Sequence, residues 1–284
     1  MSIDAGAAIG GVHLRVSDLD RSLTFYNQVL GLDVLSSDAE SAALGAGGRA
    51  LVSLRALSGA IPRPRRATGL YHFAVLVPDR ASLGHALARL VSARWPLQGA
   101  SDHGVSEAIY LGDPDGLGIE IYRDRPQDEW PRDANGLAMV SDPLDLRALL
   151  DEAVRDGEVP ATVPPETRMG HVHLQVRELD EAEAFYHGAL GFDVMQRMAP
   201  GALFVSAGGY HHHVGLNTWG VAGAPPAPES APGLDHVEVL LPDAAALEAT
   251  RSTLARQGVS LQARDGGWLA VDPSSNAVLV RAVG

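Results

Sequence analysis

The sequence predicts an α+β fold assembled from four copies of one β-α-β-β-β module, and three observations carry this reading. Residues 10–35, "GGVHLRVSDLDRSLTFYNQVLGLDVL", recur as "GHVHLQVRELDEAEAFYHGALGFDV" at 170–194. Val16 answers to Val176, Phe25-Tyr26 to Phe185-Tyr186 and Leu30-Gly31 to Leu190-Gly191, all at an offset of 160 without a gap. A fainter pair follows, "LYHFAVLVPDRASLGHALARL" (70–90) and "LDHVEVLLPDAAALEATRSTL" (234–254). In every copy the apolar pattern switches from strand alternation to helical spacing at an acidic turn, as a strand-to-helix unit requires.

The elements follow in order. "VHLRV" and "VHLQV" read as half-buried strands, and an Asp or Glu turn leads into a helix that ends at Gly31 or Gly191 as a C-cap. "LDVL" and "FDVM" then begin further strands. "LGAGG" (44–48) resembles "VSAGG" (205–209) at an offset of 161. These glycines precede strands and open no helix, so they are not phosphate loops. The fainter pair gives a strand, a Pro-Asp turn and an amphipathic helix. An Asp-Pro turn follows (Asp113-Pro114, Asp272-Pro273), and then a last strand, "GIEIY" or "AVLV". The modules fall near 8–57, 68–125, 168–220 and 233–283. This gives an N-terminal half over 1–126, a polar, Pro-rich linker over 127–167 with a short helix near 142–154, and a C-terminal half over 168–284.

Composition excludes several functions. No cysteine is present, which removes disulfides, thiolate metal sites and cysteine nucleophiles. A net charge of −13 argues against a nucleic-acid partner. No apolar run approaches the roughly 20 residues of a membrane helix, and the start lacks a basic region followed by an apolar core, so the expectation is a cytoplasmic protein. The oddity is eleven histidines, three of them consecutive in "GGYHHHVGLN" (208–217). Read as a strand, that segment puts His211 and His213 on one face and His212 on the other; a one-residue slip reverses the assignment.

Four such modules with "FYxxxLG" after the first strand resemble the vicinal oxygen chelate superfamily. It includes glyoxalase I, bleomycin-resistance proteins and type I extradiol ring-cleaving dioxygenases. The resemblance covers nearly the whole chain. It implies that the modules pair into two curved-sheet domains and that metal ligands come from first and last strands. The first-strand ligand lies five residues before the apolar residue closing the strand. Val16 leads back to Gly11, Val77 to His72, Val176 to His171 and Leu241 to His236. On the last strands, "DPDGLGIEIY" offers Glu120, whereas the equivalent place in module four is about Leu279, which binds no metal. Modules one and two give His72 and Glu120 with His13 as a substitute. Modules three and four give His171 and His236 without a carboxylate. Modules two and three give His72, His171 and Glu120 with the histidine triplet beside them, and this set is preferred; His236 is then vestigial or structural. His13 and His173 lie two residues past the ligand position and face the same side.

The resemblance is strongest to catechol 2,3-dioxygenase-like enzymes. It implies a non-haem Fe(II)-dependent extradiol dioxygenase, with Mn(II) as the alternative ion, acting on a small aromatic diol and O2. Two histidines and one carboxylate on one face of a metal leave open positions where both reactants meet. It further implies an acid-base histidine, His213 with His211 as a second contributor. The motif "DHGVSEAIYLGDPDGLGIEIY" supplies His103 to bind the substrate hydroxyl and Tyr110 to bind the intermediate. Glu107 in that motif reads as a surface charge, and His187 as a helix-surface residue. The rivals are a glyoxalase-like isomerase or lyase, which would want a second carboxylate where this chain has histidine, and a drug-sequestering protein, whose relatives lack the ligands. Exposed sheet edges are compatible with a homodimer.

Overall fold

The computed structural model describes residues 2–134, 136–155 and 157–283. Each predicted module is realised as four strands and a helix. Module one contains β1 (Ala8–Val16), α1 (Leu19–Thr24), β2 (Asp33–Ser37), β3 (Ser41–Ala46) and β4 (Arg49–Ala56). Module two contains β5 (Gly69–Leu76), α2 (Arg80–Ser92), β6 (Leu97–Asp102), β7 (Ser106–Gly112) and β8 (Gly118–Asp124). The short helix α3 (Leu146–Ala153) follows. Module three contains β9 (Arg168–Gln175), α4 (Leu179–Glu183), β10 (Asp193–Met198), β11 (Ala202–Ser206) and β12 (Val214–Asn217). Module four contains β13 (Gly233–Leu241), α5 (Ala244–Arg256), β14 (Gln262–Arg264), β15 (Gly267–Val271) and β16 (Ala277–Ala282).

The helix starts follow from the acidic turns. Asp18, Asp79, Asp145 and Asp243 each accept the backbone N–H three residues on, from Arg21, Ser82, Ala148 and Ala246. Each such cap contributes about 1 kcal/mol. The helices of the first and third modules end differently from an ordinary α-helix. Phe25–Val29 and Ala184–Ala189 widen into π turns, with Leu30 N–H donating to Phe25 O and Leu190 N–H to Phe185 O. Gly31 and Gly191 then close both segments at φ +83 and +89.

The chain forms two compact units, residues 15–60 with 72–169, and residues 1–14 with 61–71 and 170–284. In the first unit β2–β3–β4 is an antiparallel meander, and β6–β7–β8 is another, with β5 parallel to β8. The described linker residues bond to this unit at several points: Trp130 donates its indole N–H to Arg125 O, Val163 N–H donates to Gly31 O, and the Arg89 guanidinium reaches Leu30 O and Pro160 O. In the second unit β10–β11–β12 is antiparallel with β9 parallel to β12, and β14–β15–β16 is antiparallel with β13 parallel to β16. Strand β1 neighbours β13.

One polar bond recurs in both units. The buried Tyr26 hydroxyl donates to Asp113 Oδ2 at 3.0 Å, and the buried Tyr186 hydroxyl donates to Asp272 Oδ2 at 3.2 Å. The other oxygen of each aspartate accepts backbone N–H groups of its own turn, from Asp115 and Leu117 in one copy and from Ser274 and Asn276 in the other. The tyrosine of the helix thus fastens the Asp-Pro turn before the last strand. Burial pushes the Asp113 carboxyl up to about 6, against the hydrogen bonds that favour its ionised form; Asp272 is raised for the same reason.

Candidate metal centre

The residues gathered by module two form a coherent face. His72 lies on β5 and Glu120 on β8, and both are buried. His72 Nε2 and Glu120 Oε2 are 3.0 Å apart. Tyr110, on β7, is paired across the ladder with Glu120 and therefore shares its face. The His72 and Tyr110 rings are 5.6 Å apart. Around them the surface is apolar: Ala74, Leu76, Ala108 and Tyr122 form a buried cluster against which Tyr110 packs.

His103, in the turn between β6 and β7, sits behind Tyr110. Its Nδ1 is 2.7 Å from Val140 O and its Nε2 is 2.6 Å from Tyr110 Oη. A carbonyl only accepts, so Nδ1 carries the proton. In the neutral ring Nε2 then accepts from the tyrosine hydroxyl. The two residues named from the sequence motif are thus joined directly.

Glu107 is corrected by the structure. It is buried, on the opposite face of β7 from Tyr110, and it binds Arg80 at 2.9 Å, Arg123 at 2.6 Å and Arg125 at 3.4 Å. The sequence hid this because its arginine partners come from α2 and the end of β8. It is a structural ionic cluster rather than a surface charge.

In the other unit, His171 lies on β9 and is 1 % exposed. The strand expected through the histidine triplet is not formed. The chain turns at Gly208 and Gly209, both at positive φ, and β12 begins only at Val214. Strict alternation therefore does not govern 211–213. The His212 ring stands 4.0 Å from that of His171, and the His211 ring 6.0 Å. His211 Nδ1 and His212 Nδ1 are 2.8 Å apart. His213 Nδ1 accepts the Ala207 N–H at 3.2 Å and lies 2.9 Å from Ser206 Oγ, with its ring near Tyr210, and its backbone bonds to Val172 and Val205. His173 enters an aromatic group that the sequence did not single out, with Tyr71, Phe204 and Trp219 between 5.2 and 5.7 Å away. His187 hydrogen-bonds Phe192 O and serves its own turn.

A buried imidazole–carboxylate pair carried on β-α-β-β-β modules places this chain in a class. The family model for the glyoxalase/bleomycin resistance protein/dioxygenase superfamily matches residues 8–121 and 168–269, and the chain belongs to that family. It is 45 % identical over 282 residues, 98 % of either chain, to the catechol-2,3-dioxygenase of Bacillus subtilis (strain 168). In fold it is similar to a putative dioxygenase from Bacillus subtilis subsp. subtilis str. 168, at a TM-score of 0.71 and 14 % identity, covering 99 % of this chain and 86 % of that one. It is also similar to glyoxalase I from Zea mays, at a TM-score of 0.55 and 17 % identity, covering 97 % and 92 %. Among the described residues no helix is long and apolar enough to cross a membrane.

Proposed function

We propose that this protein is an extradiol dioxygenase that opens a catechol-type ring with O2, and that His72, His171 and Glu120 hold its metal, Fe(II) with Mn(II) as the alternative. The observation that carries this reading is the buried His72–Glu120 pair with the linked Tyr110–His103 pair beside it. The 45 % likeness to a catechol-2,3-dioxygenase supports the substrate class. The donors suit such an ion: imidazole nitrogen and carboxylate oxygen match its hardness. Their 3.0 Å separation is what two adjacent ligands about 2.1 Å from one ion adopt. A divalent ion so held supplies open positions at which both oxygens of a diol and dioxygen meet.

The chain's own groups handle the protons. Tyr110, with its proton directed to His103, accepts a hydrogen bond from one substrate hydroxyl, and His103 receives the proton displaced along that line. The Nδ1 atoms of His211 and His212 share a hydrogen bond in which one nitrogen donates and the other accepts. This pair takes the second hydroxyl proton and later returns it to the opening ring. His213, whose Nδ1 lies 2.9 Å from Ser206 Oγ, is a further acid–base group of this histidine triplet. The apolar surface around Glu120 keeps bulk water from the reacting ring.

Anaerobic loading with Fe(II), followed by oxygen uptake with catechol, tests the reading. A yellow ring-opened product and equimolar oxygen consumption are expected, and Glu120→Ala abolishes both. Full activity in Glu120→Ala together with loss in His236→Ala would assign the metal to other ligands. No oxygen consumption by the loaded protein with any vicinal diol would overturn ring cleavage itself.

A further inference from the structure

The unit formed by residues 1–14, 61–71 and 170–284 contains a second convergence of ligand-type side chains. His236 and Glu238 are two apart on β13 and share a face. His13 comes from the adjacent strand β1. One nitrogen or oxygen from each of the three lies within 4.8 Å of the others. The His13 and His236 rings stack at 3.9 Å with 16° between their planes, and His13 Nε2 is 3.2 Å from Glu238 Oε1. We propose that His13, His236 and Glu238 form a second site, for a divalent transition cation of zinc-like preference. The proposal is independent of ring cleavage.

His236 carries most of the argument. It is 1 % exposed, and its Nε2 is buried with no hydrogen-bond partner. An orphaned buried nitrogen is costly unless something binds it. Its other nitrogen, Nδ1, is 2.9 Å from Asp235 Oδ2, and Asp235 is itself held by Arg264 at 3.1 Å. A carboxylate accepting from one ring nitrogen fixes the tautomer that leaves the other with a free lone pair, as at metal-bound histidines.

Glu238 is prepared in the same way. Arg281 occupies its Oε2 at 2.9 Å, leaving Oε1, the oxygen nearest His13, to face the imidazoles. The His13 side chain is 30 % exposed and provides the way in from solvent. Two nitrogens and one carboxylate oxygen, completed by water as the fourth donor, are the donor set of a tetrahedral zinc-type ion. His236 also stands at the place that His72 and His171 occupy in their modules, so the duplicated scaffold delivers a ligand type there.

The test is metal stoichiometry on the full chain. Protein stripped with a chelator is titrated with Zn(II) against a chromophoric competitor, and with Co(II) by its visible spectrum. Wild type should take two equivalents, Glu120→Ala one, and Glu120→Ala with His236→Ala none. Asp235→Asn in the Glu120→Ala background should weaken the remaining equivalent by about 10- to 100-fold. If the buried His236 variant does not fold, His13→Gln, at a partly exposed position, must remove the same equivalent with an unchanged circular dichroism spectrum. The proposal is overturned if Glu120→Ala retains no tight equivalent, or if the equivalent it retains survives His236→Ala or His13→Gln.

Discussion

Asp113 lies at the junction of helix, turn and last strand in its unit, and its titration should be visible in the stability of the whole. Burial is the main cause of its raised pKa, and the folded protein therefore binds this proton more tightly than the unfolded chain does. Between the unfolded value of 3.8 and the folded value of about 6, the native state carries the extra proton. The contribution is complete below pH 3.8, declines as the pH rises through about 6, and is constant above. At about 1.4 kcal/mol for each pH unit, that window corresponds to roughly 3 kcal/mol. Asp113→Asn removes the titration while keeping an amide oxygen for the Asp115 and Leu117 N–H groups. Urea midpoints for both proteins between pH 4 and 7 give the stability difference at each pH. That difference should shift by roughly 3 kcal/mol in favour of the variant as the pH rises. Tyr26→Phe, which removes the donor to the carboxylate, should move the inflection to higher pH. A difference that stays constant from pH 4 to 7 would refute the reasoning.

Two further substitutions probe the same unit. Glu107→Ala leaves Arg80, Arg123 and Arg125 facing one another without their shared anion, and should cost about 3–5 kcal/mol in chemical denaturation; replacement of all four residues by apolar ones should recover much of that. Tyr110→Phe removes the donor to His103 Nε2, and turnover in the oxygen-uptake assay should fall by about 100-fold or more with little change in metal content, because the ligands themselves are untouched.

The fold was legible because the modules repeat their punctuation: an acidic cap, an aromatic pair, a closing glycine and an Asp-Pro turn recur at matching offsets. His72 was reached by counting five residues back from Val77, and Glu120 was picked as the carboxylate of an otherwise apolar last strand, both on the strength of the resemblance. The histidine triplet was misread as strand because alternation was carried back from Val214 across two glycines that instead turn the chain. The π turns left no mark, since Phe25 and Tyr26 satisfy helical spacing whether the backbone closes after four residues or five. The Glu107 cluster and the Tyr26–Asp113 bond join residues far apart in sequence, and local patterning is silent about such pairs. The sequence put His236 at the ligand position of module four and His13 two residues past the empty position of module one, and there His236 reads as vestigial or structural. It took the orientation of Asp235 to distinguish a prepared imidazole from a relic.

The tyrosine–aspartate bond also bears on how such a chain changes over generations. Because both copies keep it while their ligand-type residues differ, the anchoring of helix to turn has been insulated from the chemistry carried on the adjoining strands. Drift can rewrite the side chains that face a cation, copy by copy, without unfastening the frame that presents them.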